Sequence, residues 1–419
     1  FGSRARAIWL SNQITLFTLL LPEASGRVMS SAGVLLGLAV AVAARRHGFG
    51  ADAASFLQTT RVNRHMNPSG CFSSSHSLEL PEDGTWTVGD ARSYMSERRA
   101  LKWEMTGTAM DRDFNIAYCP DTDGALERTE ARLLDEKVWP AREADALLDE
   151  ALQGLEKDGR PLIWMAFVGS DGTFVDMTMN FMCNLQQESL LNRTLVLVED
   201  SAQAARIREA FPEARLLSDA GLLAALRRTV EGGHFDPTGY RLMMHRLLLQ
   251  RGYPVLHMDA DIHISNGQLM VDELQRAVEG HDLVGMRDVC ELEMNGGFQL
   301  WMPTNGSLRA LATAIGMQKP MQDGYVLSTA NDQWALNCGL LAVAAHGELR
   351  AKVLPRSRFH FEVDKVKAED IGVAPRKMLV LHTGSSNNGH EPWLWKELGL
   401  WRLAESNDAA ATPTCVAAP

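Results

Sequence analysis

The chain has 419 residues, of which 46% are hydrophobic and 22% charged, and its formal net charge is −11. This length exceeds one average domain, and the composition is that of a globular protein with a large core, which argues against wholesale disorder. The acidic balance provides no basic surface for nucleic acid and no attraction to an anionic membrane. The six cysteines form no CxxC pair, so the usual zinc and thioredoxin spacings are absent. Their even number fits disulfides in an oxidising compartment and equally fits buried free thiols.

Two apolar runs lie near the N-terminus, at residues 14–21 and 32–44. The second run is shorter than the roughly 20 residues of a membrane span, and it fits a signal anchor, a signal peptide or a buried helix. The absence of a polar face favours secretory targeting. We therefore expect a targeting segment or single-pass membrane anchor at 1–50 and a stem or appendage at 51–158. The expected location is the Golgi or another secretory-pathway membrane, with the folded domain in the lumen.

Two tripeptides have the form of N-glycosylation sequons and permit such a location. They are Asn192-Arg193-Thr194 and Asn305-Gly306-Ser307. Because tripeptides of this form often arise by chance, they carry little weight by themselves.

From residue 161 the pattern changes to apolar runs that alternate with helical segments. Continuous apolar runs are typical of strands buried on both faces of a parallel sheet, and their alternation with helices predicts an α/β layered fold. Ligands of such sheets bind beyond the carboxyl ends of the strands, so polar residues after strands are the candidates for function. Strands are predicted at 162–168, 194–198, 254–258, 283–286, 298–302 and 378–381. Helices are predicted at 141–157, 181–191, 201–211 with Ser201 as N-cap, 219–230, 241–251 and 334–344.

The third predicted strand ends in Asp259-Ala260-Asp261. Two carboxylates at positions i and i+2 of an extended segment project to one side, where they can hold a divalent cation beside phosphate oxygens. Two further triplets, Asp111-Arg112-Asp113 and Asp121-Thr122-Asp123, follow no predicted strand, and we interpret them as solvated loop acids. The placement after a buried strand therefore makes Asp259 and Asp261 the candidate metal ligands.

Three later segments add polar groups to the candidate site. Asn295 precedes Gly296-Gly297, where an amide can bind hydroxyls and glycines allow close backbone approach, although a tight turn is the simpler alternative. Asn331-Asp332-Gln333 opens a predicted helix, in which Asn331 or Asp332 can serve as the N-cap. His382 ends a strand beside Gly384, and a neutral imidazole there can be a third metal ligand, although lone histidines are more often structural.

Taken in order, these motifs resemble the nucleotide-diphospho-sugar transferase family over residues 161–401. The segment GYPVLHMDAD at 252–261 is similar to the family's approach to its metal motif, and DMTMN at 176–180 is similar to the segment after its first strand. This family includes plant and algal cell-wall xylosyl- and arabinosyltransferases and is related to glycogenin-like and galactosyltransferase enzymes that retain anomeric configuration. The resemblance implies a GT-A-type, Rossmann-like, mostly parallel sheet flanked by helices at 159–403. We expect the remaining residues, 404–419, to form a disordered tail.

The resemblance also implies an activity and roles for individual residues. A pentose or hexose would move, with retention, from a UDP-sugar to a glycan or glycoprotein acceptor. Asp259, Asp261 and His382 would bind Mn²⁺ or Mg²⁺ and, through Asp259, the donor diphosphate. The remaining expected site residues are Arg241, Asn295 and Gly297 at the donor and Asp332 and Gln333 as the catalytic pair.

Some residues depart from the family pattern. Trp334 stands where the family often has a second acid, His263 follows the metal motif, and the loop after His382 lacks an Asn-Trp pair. These departures leave open a secretory-pathway protein that keeps the fold without the transfer activity. A phosphohydrolase with Asp259 as nucleophile is a further alternative, but His263 stands where such an enzyme has threonine or valine.

Overall fold

The computed structural model describes residues 84–105, 124–127, 129, 141–167, 172–198, 200–229, 239–288, 293–322, 332–361, 366–383, 391–404 and 414–416. The predicted targeting segment at 1–50, much of the predicted stem, and the two triplets interpreted as loop acids lie outside these ranges. Within these ranges, no helix is long and apolar enough to cross a membrane.

Strands and helices alternate along most of the described chain. The strands are β1 (Leu162–Phe167), β2 (Thr194–Val198), β3 (Arg215–Leu217), β4 (Val255–Met258), β5 (Ile262–Ile264), β6 (Leu283–Arg287), β7 (Met294–Trp301), β8 (Ala351–Val353), β9 (Phe359–Phe361) and β10 (Val380–His382). The helices are α1 (Val88–Met105), α2 (Ala141–Ala151), α3 (Gly172–Gln187), α4 (Ser201–Ala210), α5 (Ala220–Thr229), α6 (Gly239–Gln250), α7 (Gly267–Val278), α8 (Asn305–Gln322), α9 (Asp332–Ala345) and α10 (Glu391–Glu397).

Seven strands form one sheet in the order β3-β2-β1-β4-β7-β6-β8. Strand β1 pairs in parallel with β2 and β4, whereas β7 runs antiparallel to its neighbours β4 and β6. The predicted α/β fold with a mostly parallel sheet flanked by helices, consistent with the GT-A type, is therefore confirmed. A second, three-stranded sheet has the order β5-β10-β9 and joins the segment after β4 to the end of the domain.

The seven-stranded sheet separates two hydrophobic cores. Along β1, Leu162 and Trp164 face one core, while Ile163 and Met165 face the other. Helices α1, α2, α5, α6, α8 and α9 contribute to the first core, and α3, α4 and α7 contribute to the second. Since both faces of the strand are buried, every position must be apolar, and this explains the continuous run LIWMAF.

Several predicted boundaries are wrong for identifiable reasons. Asp200 rather than Ser201 caps α4, because its carboxylate accepts hydrogen bonds from the N–H groups of Ala202 and Gln203. Strand β7 begins at Met294, so Asn295, Gly296 and Gly297 lie within a strand instead of a tight turn. The register of β6 against β7 shifts between Gly285 and Arg287, and after this shift Arg287 pairs with Met294 at the start of β7.

Part of the predicted disordered tail is instead held against the domain. Leu403 forms an antiparallel bridge with Cys415, and the N–H of Ala404 donates to the carbonyl of Thr414 at 2.8 Å. Cys415 also forms a disulfide with Cys183 of α3. These contacts involve residues 414–416, whose order could not be predicted because their partners lie far away in the sequence.

Candidate metal and donor site

The candidate site lies where β4 ends at the carboxyl edge of the parallel strands. Asp259 and Asp261 follow β4, and β5 then pairs antiparallel with β10, so that Ile262 lies opposite His382. Each of Asp259, Asp261 and His382 offers one ligand atom, and these atoms lie within 4.8 Å of one another. The structure thus brings together the three predicted metal ligands.

The ring of His382 is oriented by Asn295 on the neighbouring strand β7. Nδ1 lies 2.7 Å from Oδ1 of Asn295, and the same oxygen accepts a hydrogen bond from the N–H of Gly297 at 2.9 Å. An amide oxygen can only accept, so the proton of His382 belongs on Nδ1. Nε2 then faces Oδ1 of Asp261 at 3.0 Å and Oδ2 of Asp259 at 4.0 Å. In the neutral ring, the lone pair of Nε2 points toward two carboxylates. A cation bound among these three groups would accept the lone pair and offset the two negative charges.

Asp259 is held from the other side by two basic groups. Its Oδ1 lies 2.5 Å from Nη1 of Arg241 and 3.1 Å from Nε2 of His257, while Oδ2 faces His382. Burial alone would raise the pKa of Asp259, but Arg241 and His257 outweigh burial and hold this pKa well below its usual range. Asp259 is therefore a carboxylate at any ordinary pH, as a metal ligand must be.

The electrostatics of His382 follow from the same cluster. Burial alone would lower the pKa of His382. The nearby carboxylate of Asp261, which also hydrogen-bonds the ring, and the charge of Asp259 outweigh burial, so this pKa lies above its ordinary value. The side chain of Asp259 remains 31% exposed, compared with 5% for His382, so a ligand can approach from the carboxylate side. The cluster is thus accessible at one side, where the carboxylate of Asp259 reaches solvent.

Gly297 fits between the metal-ligand side chains because it has no Cβ. A Cβ at this position would lie 2.5 Å from Cε1 of His382 and 2.9 Å from Cγ of Asp259. Both distances are closer than real Cβ contacts, so a larger residue would displace the two ligands. Gly297 therefore allows close approach of the side chains of Asp259 and His382. Its contact with the donor stays a prediction.

Gln333, one of the two predicted catalytic residues, has both ends of its amide bound. The N–H of Gly296 donates to Oε1 at 2.8 Å, and Nε2 donates to the carboxylate of Asp288. Helix α9 is anchored on β7 by Asn337, which exchanges two hydrogen bonds of 2.9 Å with the backbone of Met294. Asp332 is the first residue of this helix, and its side chain lies outside the described part.

Asp288 and His257 are site residues that the sequence analysis missed. Asp288 is only 5% exposed and directly follows β6, just as Asp259 follows β4. The placement of Asp288 directly after an apolar strand is the sequence signal that predicts it as a site residue. His257 lies two positions before Asp259, and residues at i and i+2 of an extended chain share one side.

The segment DMTMN at 176–180 has a different setting from the other motifs. It lies on α3, and Oδ1 of Asn180 accepts hydrogen bonds from the backbone N–H groups of Arg402 and Leu403 at 2.5 and 3.2 Å. Farther along this helix, Asn184 binds the N–H and the carbonyl of Ile264 in β5. These contacts hold β5 and the segment at residues 402–403 against α3.

Fold and site together define an α/β protein with a three-residue candidate metal site at the carboxyl edge of its sheet. Residues 189–389 match the nucleotide-diphospho-sugar transferase family, and this match confirms the resemblance drawn from the motifs. The chain is therefore similar to this family over that range. The match includes Asp259, Asp261 and His382, and it begins after β1 and α3.

One solved structure similar to this chain is that of mouse Xyloside xylosyltransferase 1 in its apo form. The identity is 12% and the TM-score is 0.35, and the similar region covers 54% of this chain and 97% of that chain. At this level the similarity supports no argument about activity. No curated protein sequence matches the chain.

Proposed function

We propose that the protein is a metal-dependent glycosyltransferase that moves a pentose or hexose from a UDP-sugar to a glycan or glycoprotein acceptor with retention. The observation that carries this proposal is the cluster of Asp259, Asp261 and His382 at the carboxyl edge of the sheet. This cluster lies within the region that matches the transferase family. The family match supports sugar transfer, and the cluster supports dependence on a metal.

The residues of the cluster fit Mn²⁺ and Mg²⁺. Two carboxylates are the ligands that hard divalent cations such as Mn²⁺ and Mg²⁺ prefer, and the neutral imidazole of His382 can supply a third ligand. When bound, such a cation neutralises the diphosphate leaving group. Arg241 holds one oxygen of Asp259 in place and adds a positive charge beside the expected position of the diphosphate.

The other predicted residues would act on the sugar. Asp332 would hydrogen-bond its hydroxyl groups, and Gln333 would lie near the anomeric carbon. A carbonyl oxygen has two lone pairs, so Oε1 of Gln333 can accept from Gly296 and still face the positive charge that develops at this carbon. The acceptor hydroxyl would then attack from the face that the diphosphate leaves.

Asp261→Ala tests the proposal, because it removes the carboxylate that faces Nε2 of His382. We expect the wild type to hydrolyse at least one member of a UDP-sugar panel with Mn²⁺, and the variant to lose this activity. Asp121→Ala is the matched control, since it removes an acid from a DxD triplet interpreted as a solvated loop, and it should leave activity unchanged. Unchanged turnover in Asp261→Ala would contradict the proposal.

A second candidate is a protein that kept the fold and lost transfer, and Trp334 is the observation that favours it. A thermal shift of the wild type with UDP and Mn²⁺, without hydrolysis or transfer of any sugar in the panel, would support this candidate. Turnover with any donor would exclude it.

A further inference from the structure

In the described part of the chain, the asparagines of the two sequons are exposed to solvent, whereas the other asparagines are not. Of its seven asparagines, only Asn192 and Asn305 are exposed. Asn266 is half-buried, and the other four are buried, namely Asn180, Asn184, Asn295 and Asn337. The two exposed asparagines are the two that begin a sequon. Chance tripeptides would fall on buried asparagines as readily as on exposed ones.

The hydroxyl group in each sequon makes a hydrogen bond inside the fold, and this bond is a structural reason for the third residue of the tripeptide. It gives no reason for the asparagine at the first position. Oγ1 of Thr194 donates to the carbonyl of Leu190 at 3.0 Å, and Oγ of Ser307 donates to the carbonyl of Asp282 at 3.0 Å. Both hydroxyl residues are fully buried. The asparagines point to solvent, where a hydrophilic attachment causes no clash.

Both asparagines lie at the sheet edge opposite the candidate metal site. Asn192 lies in a 3-10 turn directly before β2, and Asn305 opens α8 shortly after the end of β7. Because β7 runs antiparallel, its end at Trp301 pairs with Val255 at the start of β4, whereas Asp259 follows the end of β4. A bulky group on either asparagine would therefore leave the donor site open.

The disulfide between Cys183 and Cys415 supplies independent support. It joins α3 to a segment 232 residues later in the sequence, and Cys338 is disulfide-bonded as well. Disulfides persist in oxidising compartments such as the lumen of the endoplasmic reticulum, where asparagines of sequons become accessible to glycosylation. The bonded cysteines and the exposed sequons thus indicate the same compartment.

We propose that Asn192 and Asn305 carry N-linked oligosaccharides that are attached in the secretory pathway. The co-reactant is a lipid-diphosphate-linked oligosaccharide. A bond forms between the amide nitrogen of the asparagine and C1 of the first sugar, the bond from C1 to the phosphate oxygen breaks, the lipid diphosphate leaves, and the amide loses one proton. The chain is the acceptor in this step, so the proposal does not depend on its own transferase activity.

The test uses the full-length protein purified from a eukaryotic host, with and without peptide-N-glycosidase. We expect the glycosidase to increase the gel mobility of the wild type. Asn192→Gln and Asn305→Gln should each lose one part of this shift, and the double variant should lose all of it. Thr194→Ser and Ser307→Thr preserve the sequons and should keep the shift.

A wild type that the glycosidase leaves unchanged would overturn the proposal, as would a shift that persists in the double variant. Free thiols at Cys183 and Cys415 in the purified protein would contradict the compartment and therefore the proposal. A shift from one asparagine alone would overturn the assignment of the other. A glycosylated protein that transfers no sugar would leave this inference standing while contradicting the proposed function.

Discussion

At the scale of single residues, Asn295 sets the orientation of His382 by accepting hydrogen bonds from its ring and from the N–H of Gly297. Asn295→Ala removes this acceptor, and we expect the affinity for Mn²⁺ to fall about 10- to 100-fold. Asn295→Asp retains an acceptor and should keep more of the affinity. Calorimetric titration with Mn²⁺ measures both variants, and equal affinity of Asn295→Ala and the wild type would exclude this role.

Asp288 is expected to act on the reaction through Gln333, because its carboxylate accepts the hydrogen bond from Nε2. Without this partner the amide can turn away from the sugar. Asp288→Ala should lower kcat of donor hydrolysis by up to about 100-fold, since small displacements of a positioned group have effects of this size. KM for the donor should change little.

Asp288→Asn retains an oxygen that can accept the same hydrogen bond, and it should recover part of kcat. A variant series that changes KM alone would show that Asp288 affects donor binding rather than the position of Gln333.

The predictability of the site differed from residue to residue. Asp259, Asp261 and His382 could be predicted because each stands at or directly after an apolar strand. The pairing of β5 with β10, which brings His382 to the two acids, is a long-range contact with no local pattern. The bonds of Gln333 to Asp288 and Gly296 could not be predicted for the same reason.

At the scale of elements, burial on both faces decides which strands can be predicted. Strands β1, β2 and β4 were located to within a residue, because both of their faces are buried and their sequences are apolar apart from Thr194 and His257. Strands β5, β8 and β9 have three residues each, which is too short for a periodic pattern. The start of β7 was missed because asparagine and two glycines are unusual in a strand.

The disulfide ties α3 to the C-terminal segment, and its removal should destabilise the domain. Cys415→Ser is expected to lower the free energy of unfolding by about 2–5 kcal/mol, the usual effect of losing a native disulfide. Urea unfolding measures this change. As a control, Cys183→Ser should lower the free energy of unfolding by the same amount, because it removes the same disulfide. An equally stable variant would show that the backbone bridge between Leu403 and Cys415 holds the segment alone.

At the scale of the whole molecule, buried histidines make stability depend on pH. Burial, assisted by the charge of Arg402, lowers the pKa of His263 to about 3, and burial lowers the pKa of His245 as well. The unfolded chain binds a proton at these residues below about pH 6.5, whereas the native state does not. The free energy of unfolding should therefore fall between pH 7 and pH 5, by about 2 kcal/mol for His263.

The variant His263→Leu should show a smaller loss of stability over the same pH range, since it removes the group that takes up the proton. His346→Leu is the control, because His346 is exposed. Urea unfolding at pH 7 and pH 5 provides the comparison, and identical pH dependence of His263→Leu and the wild type would contradict the prediction.

The central claim is that Asp259, Asp261 and His382 hold a divalent metal at which a nucleotide diphosphate binds. Its most direct test is calorimetric titration of the wild type and of Asp261→Ala with UDP, in the presence and absence of Mn²⁺. We predict that Mn²⁺ strengthens UDP binding by the wild type and has no such effect on the variant. Equal binding of UDP with and without Mn²⁺, or the same enhancement in Asp261→Ala, would contradict the claim.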